Sequence, residues 1–110
     1  MLEFYRGDTF QQHFTVSWNN PITGIYFTVK QTSDDKIPLI KKKLNEGINL
    51  VDKTDDGEVY LLTIDSEDTE HLKAGSYNYD FEILSGNLKQ TPQTGTLTLR
   101  EDVTRKRDEY

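Results

Sequence analysis

Residues 75–83 read Gly-Ser-Tyr-Asn-Tyr-Asp-Phe-Glu-Ile, and a large apolar side chain stands at every second position of this stretch. Successive side chains of a β-strand point to opposite faces of the sheet, so Tyr77, Tyr79, Phe81 and Ile83 would all face one side. The stretch therefore predicts a strand with one buried face and one solvated face.

The same two-residue period recurs along most of the chain. It is found in Phe10–Phe14–Val16–Trp18 with Gln12 as a polar interruption, and in Ile25–Phe27–Val29, Tyr60–Leu62–Ile64 and Leu97–Leu99. Turn-forming residues such as Asp56-Gly57 and Thr91-Pro92 separate these sets. We predict strands near 2–5, 8–18, 23–31, 38–43, 48–52, 58–65, 76–84 and 94–101. Residues 66–72 are predicted to form one helical turn capped by Ser66.

Composition also favours sheet, because the chain has thirteen threonines, six tyrosines and five phenylalanines but a single alanine, Ala74. We expect an all-β, immunoglobulin-like antiparallel sandwich of about seven to eight strands, with a small barrel as the alternative. Gly75 lies two residues before Tyr77 at a strand start, a pattern typical of the tyrosine corner of such sandwiches. The length of 110 residues predicts one domain over 1–102, followed by a charged tail over 103–110.

Several classes of protein are disfavoured by what the chain contains. The absence of cysteine excludes disulfide scaffolds, thiolate metal sites and cysteine nucleophiles. A net charge of −6 argues against a general nucleic-acid binder. There is no apolar run of membrane-spanning length, and Glu3 and Arg6 follow Met1 where a signal peptide would be apolar, so we expect no membrane association and no export.

Few motifs in the sequence indicate metal binding, adhesion or catalysis. His13 and His71 lie in different predicted elements without a nearby ligand partner, so we expect two surface histidines and no metal or cofactor. The acidic residues around Gly57 are consistent with a calcium site, but an Asp-Gly hairpin turn explains them as well.

Arg6-Gly7-Asp8 matches an adhesive tripeptide, although a turn between two strands is the simpler interpretation. Lys41-Lys42-Lys43 is interpreted as a charged edge strand, and no catalytic motif is found, so we expect no enzyme.

A set of short motifs in fixed order resembles a known group of proteins. The motifs are Arg6-Gly7-Asp8-Thr9-Phe10, Thr23-Gly24 before a strand ending in Lys30, Asp56-Gly57-Glu58-Val59-Tyr60, Asp68-Thr69, Leu72, and Gly75-Ser76-Tyr77-Asn78-Tyr79-Asp80. Over roughly residues 5–100 the chain resembles small immunoglobulin-like structural proteins of tailed phages and prophages of Gram-positive bacteria, including the N-terminal domain of baseplate upper proteins.

The resemblance implies a non-enzymatic virion protein of the baseplate, tail or head surface, assembled in the bacterial cytoplasm. Its partners would be other virion structural proteins and further copies of itself. Residues expected to shape the framework are Gly7, Asp8, Gly24, Gly57, Gly75, Tyr77, Tyr79 and Asp80. Candidate interface residues are Tyr5, Tyr26, Tyr60, Val103, Arg105 and Arg107, chosen as aromatics of uncertain facing and as members of the tail.

Two other functions stay open. A carbohydrate-binding or protein-binding module could use Trp18, Tyr26 and Tyr60 as a stacking platform, although the alternation places Trp18 on the core face. A regulator that binds one host protein is the third possibility.

Overall fold

The computed structural model describes residues 2–17, 21–32, 36–86 and 88–101. These residues form eight strands and one short helix: β1 Leu2–Tyr5, β2 Phe10–Val16, β3 Gly24–Lys30, β4 Ile40–Leu44, β5 Gly47–Thr54, β6 Gly57–Ile64, α1 Ser66–Thr69, β7 Gly75–Ser85 and β8 Leu88–Arg100. The expectation of an all-β chain is confirmed, and each predicted strand corresponds to one of these eight.

The largest boundary error is at β8, which begins at Leu88 rather than near residue 94. Thr91-Pro92 was predicted to separate strands, yet it lies within β8 at a bulge. Phe81 pairs with Gln93 and Ile83 pairs with Gln90, so β8 has one more residue than β7 in this interval. Proline lacks a backbone N–H and is tolerated in a sheet at such bulges.

The helical turn is shorter than predicted and has a different cap. α1 ends at Thr69 instead of residue 72, and its N-cap is Asp65 rather than Ser66. The Asp68 carboxylate accepts a hydrogen bond of 2.8 Å from the backbone N–H of Asp65. This bond occupies a backbone donor at the start of the helix, so the first turn is stabilised one residue earlier than expected.

The eight strands form one sheet in the order β1-β8-β7-β3-β4-β5-β6-β2. All pairs are antiparallel except β1 with β8 and the two-residue contact of β4 with β5. That contact follows a tight turn in which Asn45 and Gly47 have positive φ of 73° and 98°. The sheet therefore has a narrow corner between β4 and β5, with five strands on one side and three on the other.

The sheet curls at this corner until its two ends meet. The Phe14 ring of β2 lies 5.0 Å from the Phe81 ring of β7, although β2 and β7 are five positions apart in the strand order. At the two end strands, the rings of Phe4 and Phe10 stack with centroids 4.5 Å apart. We call the line where β1 meets β2 the seam. The result is a barrel-like β structure with its core between the two parts of the sheet. Among the described residues, β1 and β2 touch at the seam through these rings but do not pair as strands.

Most of the core side chains are ones that the alternation assigned to one face, and Phe4, Ile40, Ile48 and Leu72 join them. Eight apolar core residues are at most 1% exposed: Ile25, Phe27, Val29, Ile48, Leu62, Ile64, Leu97 and Leu99. Phe27 and Phe81 lie 4.8 Å apart at its centre. Burial of apolar surface on this scale is the main source of stability for a domain of this size.

Arg6-Gly7-Asp8 forms the turn between β1 and β2 and is tied to the crossover around α1. The Arg6 guanidinium donates hydrogen bonds of 3.0 Å to the carbonyls of Glu70 and Leu72. The Gly7 N–H donates to the Thr69 hydroxyl, 2.9 Å away, and Gly7 has a φ of 84°. The Arg6 side chain is 17% exposed, so this segment is engaged within the fold rather than presented as an adhesive loop.

Tyr77 makes the hydrogen bond that the tyrosine-corner pattern predicts. Its hydroxyl donates to the Lys73 carbonyl over 2.6 Å, which joins the start of β7 to the end of the crossover. Gly57 is required for a different reason, because its φ is 137° and a Cβ there would clash with the Val16 carbonyl oxygen. Both residues fix the path of the chain between strands.

The three consecutive lysines of β4 do not share one role. The predicted edge position is wrong, because β4 lies between β3 and β5 in the sheet. Lys41 and Lys43 are exposed, whereas Lys42 turns toward the crossover. The Lys42 side chain is 12% exposed, and its Nζ lies 2.7 Å from the Asp68 carboxylate. Lys42 therefore attaches the corner of the sheet to α1.

Candidate functional site

A polar groove of about 390 Å³ lies on the face of the sheet formed by β3, β7 and β8. It is lined by Thr28, Lys30, Asn78, Tyr79, Asp80, Thr94, Gly95 and Thr96. The strand register explains why these residues meet. Asp80 pairs with Thr28 on one side and Thr94 on the other, and Asn78 pairs with Lys30 and Thr96 in the same way. Two rows of three polar residues thus cross the three strands.

The groove offers hydrogen-bonding groups of both kinds. Asp80 and Lys30 are partly buried, and within the described part of the chain neither forms an ion pair. The Asn78 amide donates a long hydrogen bond of 3.4 Å to the Gln31 carbonyl. A carboxylate, an ammonium group and three threonine hydroxyls near one another suit a ligand that carries several hydroxyl groups.

The sequence did not single out this groove. Asp80 was predicted to be a framework residue, but it points to the outer face and lines the groove. Tyr79 is 3% exposed and faces the core, where its ring lies close to Gly95. The alternation in residues 75–83 indicated that Asn78 and Asp80 face outward. Only the strand order brings Thr28, Lys30 and the threonines of β8 beside them.

The free edge of β2 is the second candidate surface. β2 pairs with β6 through seven consecutive residues without a register shift, and among the described residues no strand pairs with its other edge. It contains no aspartate, glutamate, lysine, arginine or proline. Gln12 lies on the inner side between Phe10 and Phe14, yet it is exposed, and both rings are partly exposed. The inner side of β2 is therefore open to solvent at the seam.

The candidate interface residues have different surroundings. Tyr5 is 46% exposed, and the Arg100 guanidinium lies 5.8 Å from its ring centroid. Tyr26 is partly buried on the outer face of β3. Tyr60 was wrongly included, because it is 2% exposed and its ring stacks on Phe14 in the core. Val103, Arg105 and Arg107 lie outside the described residues, as does Trp18.

Tyr60 faces the core beside a carboxylate of its own strand. Burial raises the pKa of its hydroxyl above the ordinary value of 10.0, and the Glu58 carboxylate raises it further by charge and by accepting a hydrogen bond. The phenol is therefore held in its neutral form, which suits a core position.

The other residues considered for chemistry are dispersed. His13 and His71 are both exposed, and in the described ranges no three acidic or histidine side chains gather as they would around a metal ion. Asp55 and Asp56 form the turn of the β5–β6 hairpin, while Asp34 and Asp35 lie outside the described residues. Within the described residues, the helix α1 is too short and too polar to cross a membrane.

Neither the protein-family models nor the curated proteins include a match to this chain.

Proposed function

We propose that this chain is a non-enzymatic structural domain of a phage or prophage virion that works by assembly with other protein chains. Support comes from the positions of the residues that carry the sequence resemblance. Gly7 begins the link to the crossover through Thr69, Gly57 permits a close approach to Val16, and Tyr77 bonds to Lys73. These three motif residues are therefore framework residues, as expected if the resemblance reflects a common fold.

For the fold in more detail, we propose an immunoglobulin-like sandwich whose two sheets are joined at the corner between β4 and β5. In that arrangement β2, β6 and β5 correspond to strands B, E and D, and β3, β7 and β8 correspond to C, F and G. The observed neighbours agree with this assignment, since β2 pairs with β6, β3 with β7, and β7 with β8. The Tyr77 bond lies at the junction of the proposed E and F strands.

The open, uncharged edge of β2 is the observation that carries the assembly role. Soluble monomers protect long edge strands with charges, prolines or bulges, because free backbone groups invite pairing with another chain. β2 has none of these devices along seven residues. An edge of this kind supports a chain whose working state includes a neighbour.

The virion location is tested by an immunoblot for this chain on density-purified particles induced from the source strain. We expect co-purification at a fixed ratio to the major capsid or tail protein, with a soluble host protein as the control for contamination. Absence of the chain from intact particles would overturn the virion assignment.

The polar groove favours saccharide binding as a second candidate function. Carboxylate, amide, ammonium and hydroxyl groups converge there, and such groups bind sugar hydroxyls in pairs. The test is calorimetric titration of the purified chain with a panel of bacterial cell-wall and surface glycans. Binding that is lost in Asp80→Asn but kept in Glu3→Gln, an exposed carboxylate on β1, would support this function. No heat change with any glycan would remove it.

A further inference from the structure

The edge of β2 has a sequence with approximate two-fold symmetry. Residues 10–14 read Phe-Gln-Gln-His-Phe, so Gln12 stands at the centre with a phenylalanine two positions away on either side. Phe10, Gln12 and Phe14 share the inner face, whereas Gln11 and His13 share the outer face. Reversal of the strand direction therefore leaves the pattern of ring and polar positions unchanged.

We infer that β2 of a second copy of this chain pairs with this edge in antiparallel orientation, with Gln12 of each copy at the two-fold axis. Phe10 would then stand opposite Phe14 of the second copy, and Gln11 opposite its His13. Opposed side chains in such a pair have Cβ atoms about 4.5–5.5 Å apart, within reach of aromatic contact. The inference deepens the assembly role proposed above and rests on it.

The partly exposed rings favour this register over its neighbours. If the register moved by one residue, each phenylalanine would lie opposite a residue whose side chain belongs to the outer face. Paired residues of two adjacent strands point to the same face of the sheet, so the pleat does not allow this register. A shift by two would leave one phenylalanine of each copy opposite a glutamine. The register centred on Gln12 brings together the partly exposed rings of both copies, because a phenylalanine then stands opposite a phenylalanine at each end.

The distribution of charge favours this edge over the rest of the surface as the contact between two copies. Two copies carry −6 each, so their approach is opposed over most of the surface. β2 contains none of these formal charges, and its uncharged glutamine and threonine side chains impose no repulsion. The other strands with free edges are less suited to pairing. β1 has four residues including Glu3, and β5 has a register shift between Leu50 and Asp52.

Site-directed cross-linking tests the register, and the chain is suited to it because it has no cysteine of its own. Two single-cysteine variants are compared, Gln12→Cys and Thr15→Cys, both at exposed positions of β2. In the inferred dimer the two copies of position 12 face each other at a distance that a disulfide can span. The two copies of position 15 are separated by about six residues along the strand, roughly 20 Å.

We expect mild oxidation to convert Gln12→Cys to a disulfide-linked dimer at least about tenfold faster than Thr15→Cys, since only the first pair lies within bonding distance. Light scattering on the unmodified chain should give twice the monomer mass at high concentration. A monomer at every concentration, equal cross-linking of the two variants, or a dimer whose position 12 does not cross-link would each overturn the inference.

A charge variant gives an independent readout of the same edge. Gln12→Lys places two ammonium groups at the axis, and an inward-pointing charge on an edge strand opposes pairing. We expect the dimer dissociation constant to rise at least about tenfold, whereas the matched variant Thr15→Lys should leave it nearly unchanged. Circular dichroism on both variants establishes that they are folded. An unchanged dissociation constant in folded Gln12→Lys would overturn the inference even if the chain co-purifies with virions.

Discussion

At the scale of single residues, the Tyr77 hydroxyl illustrates how much one polar atom contributes to the path of the chain. It donates to the Lys73 carbonyl over 2.6 Å in a part-buried position. We expect Tyr77→Phe to lower the free energy of unfolding by about 1–1.5 kcal/mol, because the bond is lost while the ring stays in place. Urea denaturation measures the change. Tyr5→Phe, on an exposed tyrosine, should change it by less than about 0.5 kcal/mol. Equal effects in the two variants would contradict the role of the corner bond.

The raised pKa of Tyr60 predicts how the stability of the fold responds to alkaline pH. Its folded-state pKa is raised by burial and by Glu58 above the ordinary 10.0, so the folded state holds the phenolic proton more tightly than the unfolded state does. The stability that this provides is intact below about pH 10 and is lost as the pH rises toward the folded-state pKa. We expect the free energy of unfolding of Tyr60→Phe to fall less steeply above pH 10 than that of the unmodified chain. Urea midpoints from pH 8 to 11 give both slopes, and parallel curves would refute the prediction.

At the scale of elements, the crossover around α1 depends on contacts from distant strands. Four helical residues cannot form a stable helix alone. Arg6 bonds to the carbonyls of Glu70 and Leu72 from the β1–β2 turn, and Lys42 pairs with Asp68 from β4. The crossover is therefore ordered by its neighbours, which connect it to the β1–β2 turn and to the corner of the sheet.

Replacement of Arg6 tests this dependence. We expect Arg6→Gln to destabilise the fold by about 1.5–3 kcal/mol, since two charge-assisted bonds to backbone carbonyls are lost, and to increase amide exchange over residues 66–73. Hydrogen exchange read by mass spectrometry localises the effect. Arg100→Gln is the matched control, because Arg100 is 56% exposed and its ion pair with Glu3 spans 3.7 Å. An exchange pattern that is the same in both variants would show that Arg6 does not order the crossover.

At the scale of the whole molecule, the contact between Phe4 and Phe10 holds the two ends of the curled sheet together. These residues belong to the two end strands, and their stacked rings span the seam. A double-mutant cycle with Phe4→Leu and Phe10→Leu should give a coupling energy of about 0.5–1.5 kcal/mol, the range for stacked aromatic pairs. Urea unfolding of the four proteins supplies the cycle, with Phe4→Leu and Leu88→Ala as a pair expected to be additive. Additive effects of Phe4→Leu and Phe10→Leu would mean that the seam is not closed by these rings.

The sequence by itself determined where the strands lie, apart from the start of β8, and most of the side chains that face the core, because alternation is a property of neighbouring residues and needs no partner strand. Residues 75–83 show this most clearly, since Tyr77, Tyr79, Phe81 and Ile83 are all buried as predicted. Local chemistry also sufficed for the β1–β2 turn and for the Asp56-Gly57 hairpin.

The tertiary structure alone decided which strands are neighbours, because pairing depends on chain closure over long separations rather than on local pattern. Tyr60 is a core residue only because β2 covers it, and Lys42 is held only because α1 lies beside β4. The groove around Asp80 and the free edge of β2 exist for the same reason. Each is made by the order of strands in the sheet, and that order is set when residues far apart in sequence bury their apolar faces together.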